Sequence, residues 1–101
     1  MAYKLIISDS ADADVDGIVE SLALKLANPP AASGFLDRVS ACYDRLEENP
    51  MLYAMTAHPL FRALGVRRAP VGGYGVFYTV CGTDARILRV LSDLETAEGK
   101  L

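Results

Sequence analysis

One histidine, His58, and two cysteines, Cys42 and Cys81, are all that this 101-residue chain offers toward a Cys/His metal site, and none stands at ligand spacing from another. That excludes a zinc site of the Cys/His kind, and no metal or cofactor is expected. The cysteines lie 39 positions apart in unrelated contexts, so two buried thiols are expected rather than a disulfide. No apolar run approaches the length of a membrane span, and the opening MAYKLIISDS turns acidic too soon for a secretory leader. The expected location is therefore the cytoplasm, with no membrane partner. Positive charge is in deficit as well: a net charge of −3 argues against a protein that coats nucleic acid, though not against a local basic site.

The charge that is present is unevenly spread. Residues 51–90 carry Arg62, Arg67, Arg68, Arg86 and Arg89 against Asp84 alone, a net of +4. Residues 1–50 carry nine acids against Lys4, Lys25, Arg38 and Arg45, a net of −5. Hydrophobic content of 51% and charged content of 23% are those of an ordinary globular protein, and the length suits one domain. The split predicts an acidic helical half and a basic sheet half.

Tyr3–Ile7, YKLII, reads as a first strand, within a segment 1–8. Ser8 offers an N-cap hydroxyl, and Asp9, Asp12, Asp14 and Asp16 fill the opening turns of a helix, where carboxylates meet the positive end of its dipole. Val15, Ile18, Val19, Leu22 and Leu26 give that helix its apolar stripe, and Asn28-Pro29-Pro30 is expected to stop it. A second helix begins near Ala31, with Phe35, Leu36, Val39, Cys42, Tyr43 and Leu46 on one side, and ends at Asn49-Pro50. Segment 9–49 is thus a helical hairpin whose apolar stripe must rest on a sheet. Residues 51–63 read as a connecting loop with a helical turn near Pro59. Residues 64–91 read as a three-stranded meander: Leu64–Val71, a Gly72-Gly73 turn, Tyr74–Val80, a turn at Gly82-Thr83-Asp84, and Arg86–Leu91. Residues 92–101 form a polar tail.

Three motifs invite stronger readings. Asp12-Ala-Asp14-Val-Asp16-Gly17 matches the start of a calcium loop, but Ala23 stands where the bidentate carboxylate belongs, so a solvated acidic helix start is the reading. Gly72-Gly73-Tyr74-Gly75 is followed by a strand, so it is a hairpin turn and not a phosphate cradle. The arginines carry more weight. Arg67 and Arg68 point to opposite faces of one strand, as do Arg86 and Arg89 on another, so one of each pair belongs on the face away from the helices. A guanidinium there can grip a phosphate or carboxylate bidentately. Arg62, Arg67, Arg68, Tyr74, Arg86 and Arg89 are the candidate target- or phosphate-binding residues.

The pieces YKLIISDSADADV, FLDRVSACYDRLEENP, VRRAPVGGYGVFYTV and ARILRVL run in this order through nearly the whole chain. Together they resemble the RelE/ParE superfamily of bacterial type II toxins. The resemblance implies an α+β fold of order β-α-α-β-β-β, a small antiparallel sheet packed on the N-terminal helical hairpin. It implies the toxin of a toxin–antitoxin, plasmid-stabilising module, a cognate antitoxin as partner, and a toxin–antitoxin hetero-oligomer. RelE-like members cut mRNA on the ribosome without a metal, using basic side chains over the open sheet and a residue near the C-terminus; ParE-like members poison DNA gyrase. Here Arg68 falls at a basic position of the RelE-like set, while Gly75 stands where many members have arginine. SDLETAEGKL supplies no histidine, tyrosine or arginine as acid, base or transition-state cation. The expectation is therefore a ParE-like toxin acting on a protein such as gyrase, the alternatives being a RelE-like endonuclease using Arg68, Arg89 and His58, or an inactive antitoxin-binding module. Leu52, Leu60 and Phe61, in the apolar 51–63 stretch, are the candidate antitoxin contacts.

Overall fold

The computed structural model describes residues 2–56 and 59–94. His58 and most of the polar tail lie outside the described residues. Strand β1 (Lys4–Ile7) leads into helix α1 (Asp9–Glu20), and α2 (Pro29–Glu48) completes the hairpin. A 3₁₀ turn (Pro50–Leu52) and a short helix α3 (Pro59–Ala63) connect to β2 (Arg67–Val71), β3 (Tyr74–Cys81) and β4 (Asp84–Ser92). The sheet order is β1-β4-β3-β2. The meander is antiparallel as expected, whereas β1 joins it parallel to β4, because the helical hairpin carries the chain back over one face of the sheet. The second strand begins at Arg67 and not at Leu64, since residues 59–65 close a helical turn first.

Ser8 is the N-cap of α1: its Oγ accepts the Ala11 N–H at 3.0 Å. The helix does not run evenly to its end. Ser21–Lys25 is a π-turn in which the Leu26 N–H donates to the Ser21 carbonyl, five residues back. That extra residue per turn rotates the stripe, so Leu22 stays against the core while Leu26, expected inside, is 66% exposed. Asn28 then caps α2 by accepting the Ala31 N–H, with Pro29 and Pro30 as its first turn. The prolines begin the second helix as well as separating the two, since neither needs an N–H there.

Between the helices Ala27 holds a left-handed φ of 48°. A Cβ is strained in that region, and glycine is not. Ala27→Gly is expected to raise stability by about 0.5–1 kcal/mol, read as a higher denaturant midpoint at unchanged m-value.

The main core lies between the hairpin and one sheet face: Phe35, Val39, Cys42 and Leu46 of α2 meet Ala69, Val71, Val76, Tyr78, Ile87 and Val90. A smaller cluster lies elsewhere, Val66, Phe77 and Leu91 with Phe61 and Leu88 packed on them. The Tyr78 hydroxyl donates to the Pro50 carbonyl at 2.6 Å and ties the 3₁₀ turn to the core. Burial pushes the Tyr43 and Tyr78 hydroxyls up to about 12, with Asp12 the next influence on Tyr43. In the unfolded chain both titrate near 10, so their contribution is intact below about pH 10 and is lost as pH rises through about 12. Melting temperature is expected to hold to about pH 10 and then fall, with tyrosinate absorbance rising in step. Tyr78→Phe should remove part of that fall, and lower stability at neutral pH by about 1–2 kcal/mol through the lost hydrogen bond.

The cysteines divide. Cys42 is fully buried and burial raises its thiol pKa, whereas Cys81, expected inside, is exposed at the end of β3. The strand alternation that buries Val76 and Tyr78 fades there, where the chain leaves the cover of α2 for the Gly82 turn.

Candidate functional site: the arginine-bearing sheet and the apolar connector

Cross-strand pairing sorts the arginines. Arg67 pairs with Tyr78 on the helix face, while Arg68 pairs with Phe77 on the opposite face, and Arg86 pairs with Thr79 on that same opposite face. Arg68 and Arg86 are therefore the strand arginines on the face away from the α1–α2 hairpin, a face on which Phe61 of α3 packs beside Phe77. Arg67 donates to the Tyr53 carbonyl at 2.7 Å, holding the connector against β2. Tyr74, expected among the binding residues, turns to the helix side and meets Phe35 edge-on at a centroid distance of 4.9 Å. Arg62 lies exposed on α3.

Arg68 reaches across the sheet because Gly75 has no side chain. A Cβ there would lie 2.6 Å from Arg68 Nε and 3.1 Å from both Arg68 Cγ and the Phe77 ring. The guanidinium arrives beside the end of β4, where Nη2 donates to Asp93 Oδ1 at 2.6 Å and lies 3.4 Å from the Tyr74 carbonyl. About a third of the Arg68 side chain stays exposed, as does most of Asp93, so this pair is accessible to a competing anion.

Arg89 is placed differently. β4 carries a bulge: Tyr78 pairs with Ile87 and Phe77 with Arg89, leaving Leu88 unopposed. The start of α1 takes up the groups that the bulge releases. Ser8 N–H donates to the Ile87 carbonyl at 3.0 Å, and Ser8 Oγ donates to the Leu88 carbonyl at 2.8 Å. Asp14 accepts the Val90 N–H at 3.0 Å and the Arg89 guanidinium through Nε at 2.7 Å and Nη2 at 2.9 Å. Asp14, read from the sequence as solvated, is thus largely enclosed and is the anchor of α1 on the sheet. The acid and the arginine come from the two oppositely charged halves of the chain.

The connector presents an apolar surface. Met51, Leu52, Leu60 and Leu64 are each more than half exposed, and Met55 is exposed as well. Phe61 instead tucks beside Val66, Phe77 and Leu91 and anchors α3. Sequence reasoning passed over a cleft of about 350 Å³ between the two long helices. Val15, Leu36, Val39 and Tyr43 line it with Ser40, and Asp12 and Asp16 stand at it as acids. The sequence signal was there in the matching i, i+3 and i, i+4 spacings of the two helices, which place both stripes at one seam.

These features define a class, a small α+β domain with a helical hairpin on one face of its sheet and arginines on the other. The family model described as "ParE toxin of type II toxin-antitoxin system, parDE" matches residues 5–96, and the chain belongs to that family. Among solved structures it is similar to the chromosomal ParDE toxin–antitoxin system from P. aeruginosa, at 21% identity and a TM-score of 0.72, over 90% of this chain and 96% of that one. It is also similar to the toxin–antitoxin complex RelBE2 from Mycobacterium tuberculosis, at 19% identity and a TM-score of 0.63, over 91% and 99%. No curated protein matches. The expected RelE/ParE fold, on the ParE side, is confirmed. Among the described residues no helix is long and apolar enough to cross a membrane.

Proposed function

We propose that this chain is the growth-inhibiting toxin of a type II module, acting in the cytoplasm by binding a protein target such as DNA gyrase, and that a cognate antitoxin silences it in a hetero-oligomer. The observation that carries the mechanism is the use made of the arginines. Metal-free RNA cleavage needs cations aimed at the phosphate and a group to activate the 2′-oxygen. Arg89 is instead spent on Asp14 in a bidentate pair, and Arg67 on the Tyr53 carbonyl, both within the fold. Arg68, held by an exposed carboxylate and by a long contact to the Tyr74 carbonyl, is suited to exchange Asp93 for an anionic group of a target. The exposed leucines and methionines of the connector, Leu52 and Leu60 among them, and the apolar cleft between α1 and α2 suit an antitoxin segment that buries alternate apolar side chains.

The test is induced expression without antitoxin, with RNA 5′-end mapping and plasmid supercoiling read from the same culture. Arrest with intact messages and altered supercoiling or trapped gyrase–DNA breaks is the expected result. New cuts within translated messages would make the chain a RelE-like endonuclease, and normal growth would make it an inactive antitoxin-binding module.

A further inference from the structure

The two edges of the sheet are treated unequally. On β2 the outward-facing groups are those of Val66, Arg68 and Pro70. The connector already lies along the first two, with Thr56 N–H donating to the Val66 carbonyl at 2.9 Å and Arg68 N–H donating to the Ala54 carbonyl at 3.2 Å. Met55 bridges Arg67 between them, and Pro70 has no N–H to offer. That edge is closed to further strands.

The Tyr3 N–H, ahead of β1, is taken by the Glu47 carbonyl at 2.7 Å, but among the described residues the β1 edge itself is open at Leu5 and Ile7. Lys4 N–H donates to the Thr83 carbonyl and Ser8 N–H to the Ile87 carbonyl, so the even-numbered residues of β1 face β4. Leu5 and Ile7 therefore turn their N–H and C=O groups outward, and beside them Ile6 is 36% exposed on the face opposite the helices. An edge of this kind is a template for another strand, and natural edges carry guards against it. β2 has its guards, whereas at β1 Lys4 and the Glu47 carbonyl bonded to Tyr3 cover only its start.

We infer that β1 pairs antiparallel with β1 of a second copy of this chain, about a two-fold axis at Ile6. This goes beyond the toxin reading and does not depend on it. In that register the Leu5 N–H donates to the Ile7 carbonyl of the second copy, the Ile7 N–H of that copy donates back to Leu5, and symmetry repeats the pair. All the outward groups of Leu5 and Ile7 are then used, whereas centring on Leu5 sets Ile7 against Tyr3, whose N–H is already held by the Glu47 carbonyl, and centring on Ile7 sets Leu5 against Asp9 of α1. The side chains agree. Leu5 and Ile7, which both lie against the main core, meet each other on the helix face, and Ile6 meets Ile6 on the other face. Charge agrees as well: Lys4 faces Ser8 of the second copy and the exposed Asp9 that opens its acidic helix, and is kept from its own equivalent. The edge is short, so the dimer is weak and concentration-dependent.

Sedimentation velocity on the chain purified alone, from roughly 5 to 500 µM, tests this, with amide exchange followed at Leu5 and Ile7. Expected are a dimer that grows with concentration, and slower exchange at those two amides as it does so. Ile6→Lys should weaken dimerisation at least about tenfold with circular dichroism and melting unchanged, and Ile6→Val should retain it. A monomer throughout that range overturns the inference. So does a dimer that Ile6→Lys leaves intact, or protection of Leu5 and Ile7 that arises only when an antitoxin peptide is added, which would assign the edge to that peptide.

Discussion

Asp14→Ala is expected to be the most damaging substitution among the acids of the helical half of the chain, costing about 3 kcal/mol of folding stability and lowering the melting temperature by on the order of 15 °C. The carboxylate is 14% exposed and holds the Arg89 guanidinium and the Val90 N–H at once. Its removal takes the paired carboxylate from a partly enclosed cation and the acceptor from a bulge N–H, and frees the first turns of α1 from the sheet. The figure sits at the low end for a broken enclosed pair, because Arg89 is still about a third exposed and water screens it. Asp16→Ala, two positions on and exposed, should stay within about 0.5 kcal/mol of the parent. A double-mutant cycle of Asp14→Ala with Arg89→Ala should return a coupling above about 1 kcal/mol. Equal losses for Asp14→Ala and Asp16→Ala in denaturant titrations would show that the anchor carries no weight.

The second large effect is functional. Arg68→Ala is expected to abolish growth arrest on induction and to weaken target binding by at least about thirtyfold, the loss typical of a dominant interface arginine. Stability should move by less than about 1 kcal/mol, since the Arg68–Asp93 pair is exposed. Two companions separate a contact role from a structural one. Asp93→Asn removes the internal carboxylate and leaves Arg68 free for a target, so arrest should persist or deepen. Gly75→Ala keeps the charge but puts a methyl where the Arg68 Nε and Cγ now lie, against a buried Phe77 ring that has little room to yield. It should lower activity with Arg68 still present. Full arrest by a folded Arg68→Ala variant would remove this residue from the target surface.

Much of the fold was legible because it follows from local rules. The Ser8 cap, the stripes of the two helices, the break at Pro29-Pro30 and the two glycine turns are each decided by residues a few positions apart. Gly72 and Gly82 show this, both at a φ near +60° and both opening two-residue hairpins. The family resemblance rests on the same local words in the same order. Where local rules failed, a small departure from ideal periodicity was the cause. The π-turn at Ser21–Lys25 moved Leu26 to the surface, and the residues before Arg67 formed a helical turn instead of extending the strand.

The site was less legible, for a different reason. The sequence by itself determined that basic residues gather in the sheet half, that acids gather on the helices, and that Arg67 and Arg68 must take opposite faces. Only the tertiary structure decided which arginine is spent internally and which is held by an exposed carboxylate. Asp14 and Arg89 are 75 positions apart, and they meet because a one-residue bulge in β4 leaves backbone groups that the first turns of α1 can satisfy. Gly75 is read from sequence as a lost side chain; in the fold it is the notch through which Arg68 reaches Asp93. Charge count and alternation are properties of the chain, whereas the pairing of charges is a property of distance, and distance is set only when the helices close on the sheet.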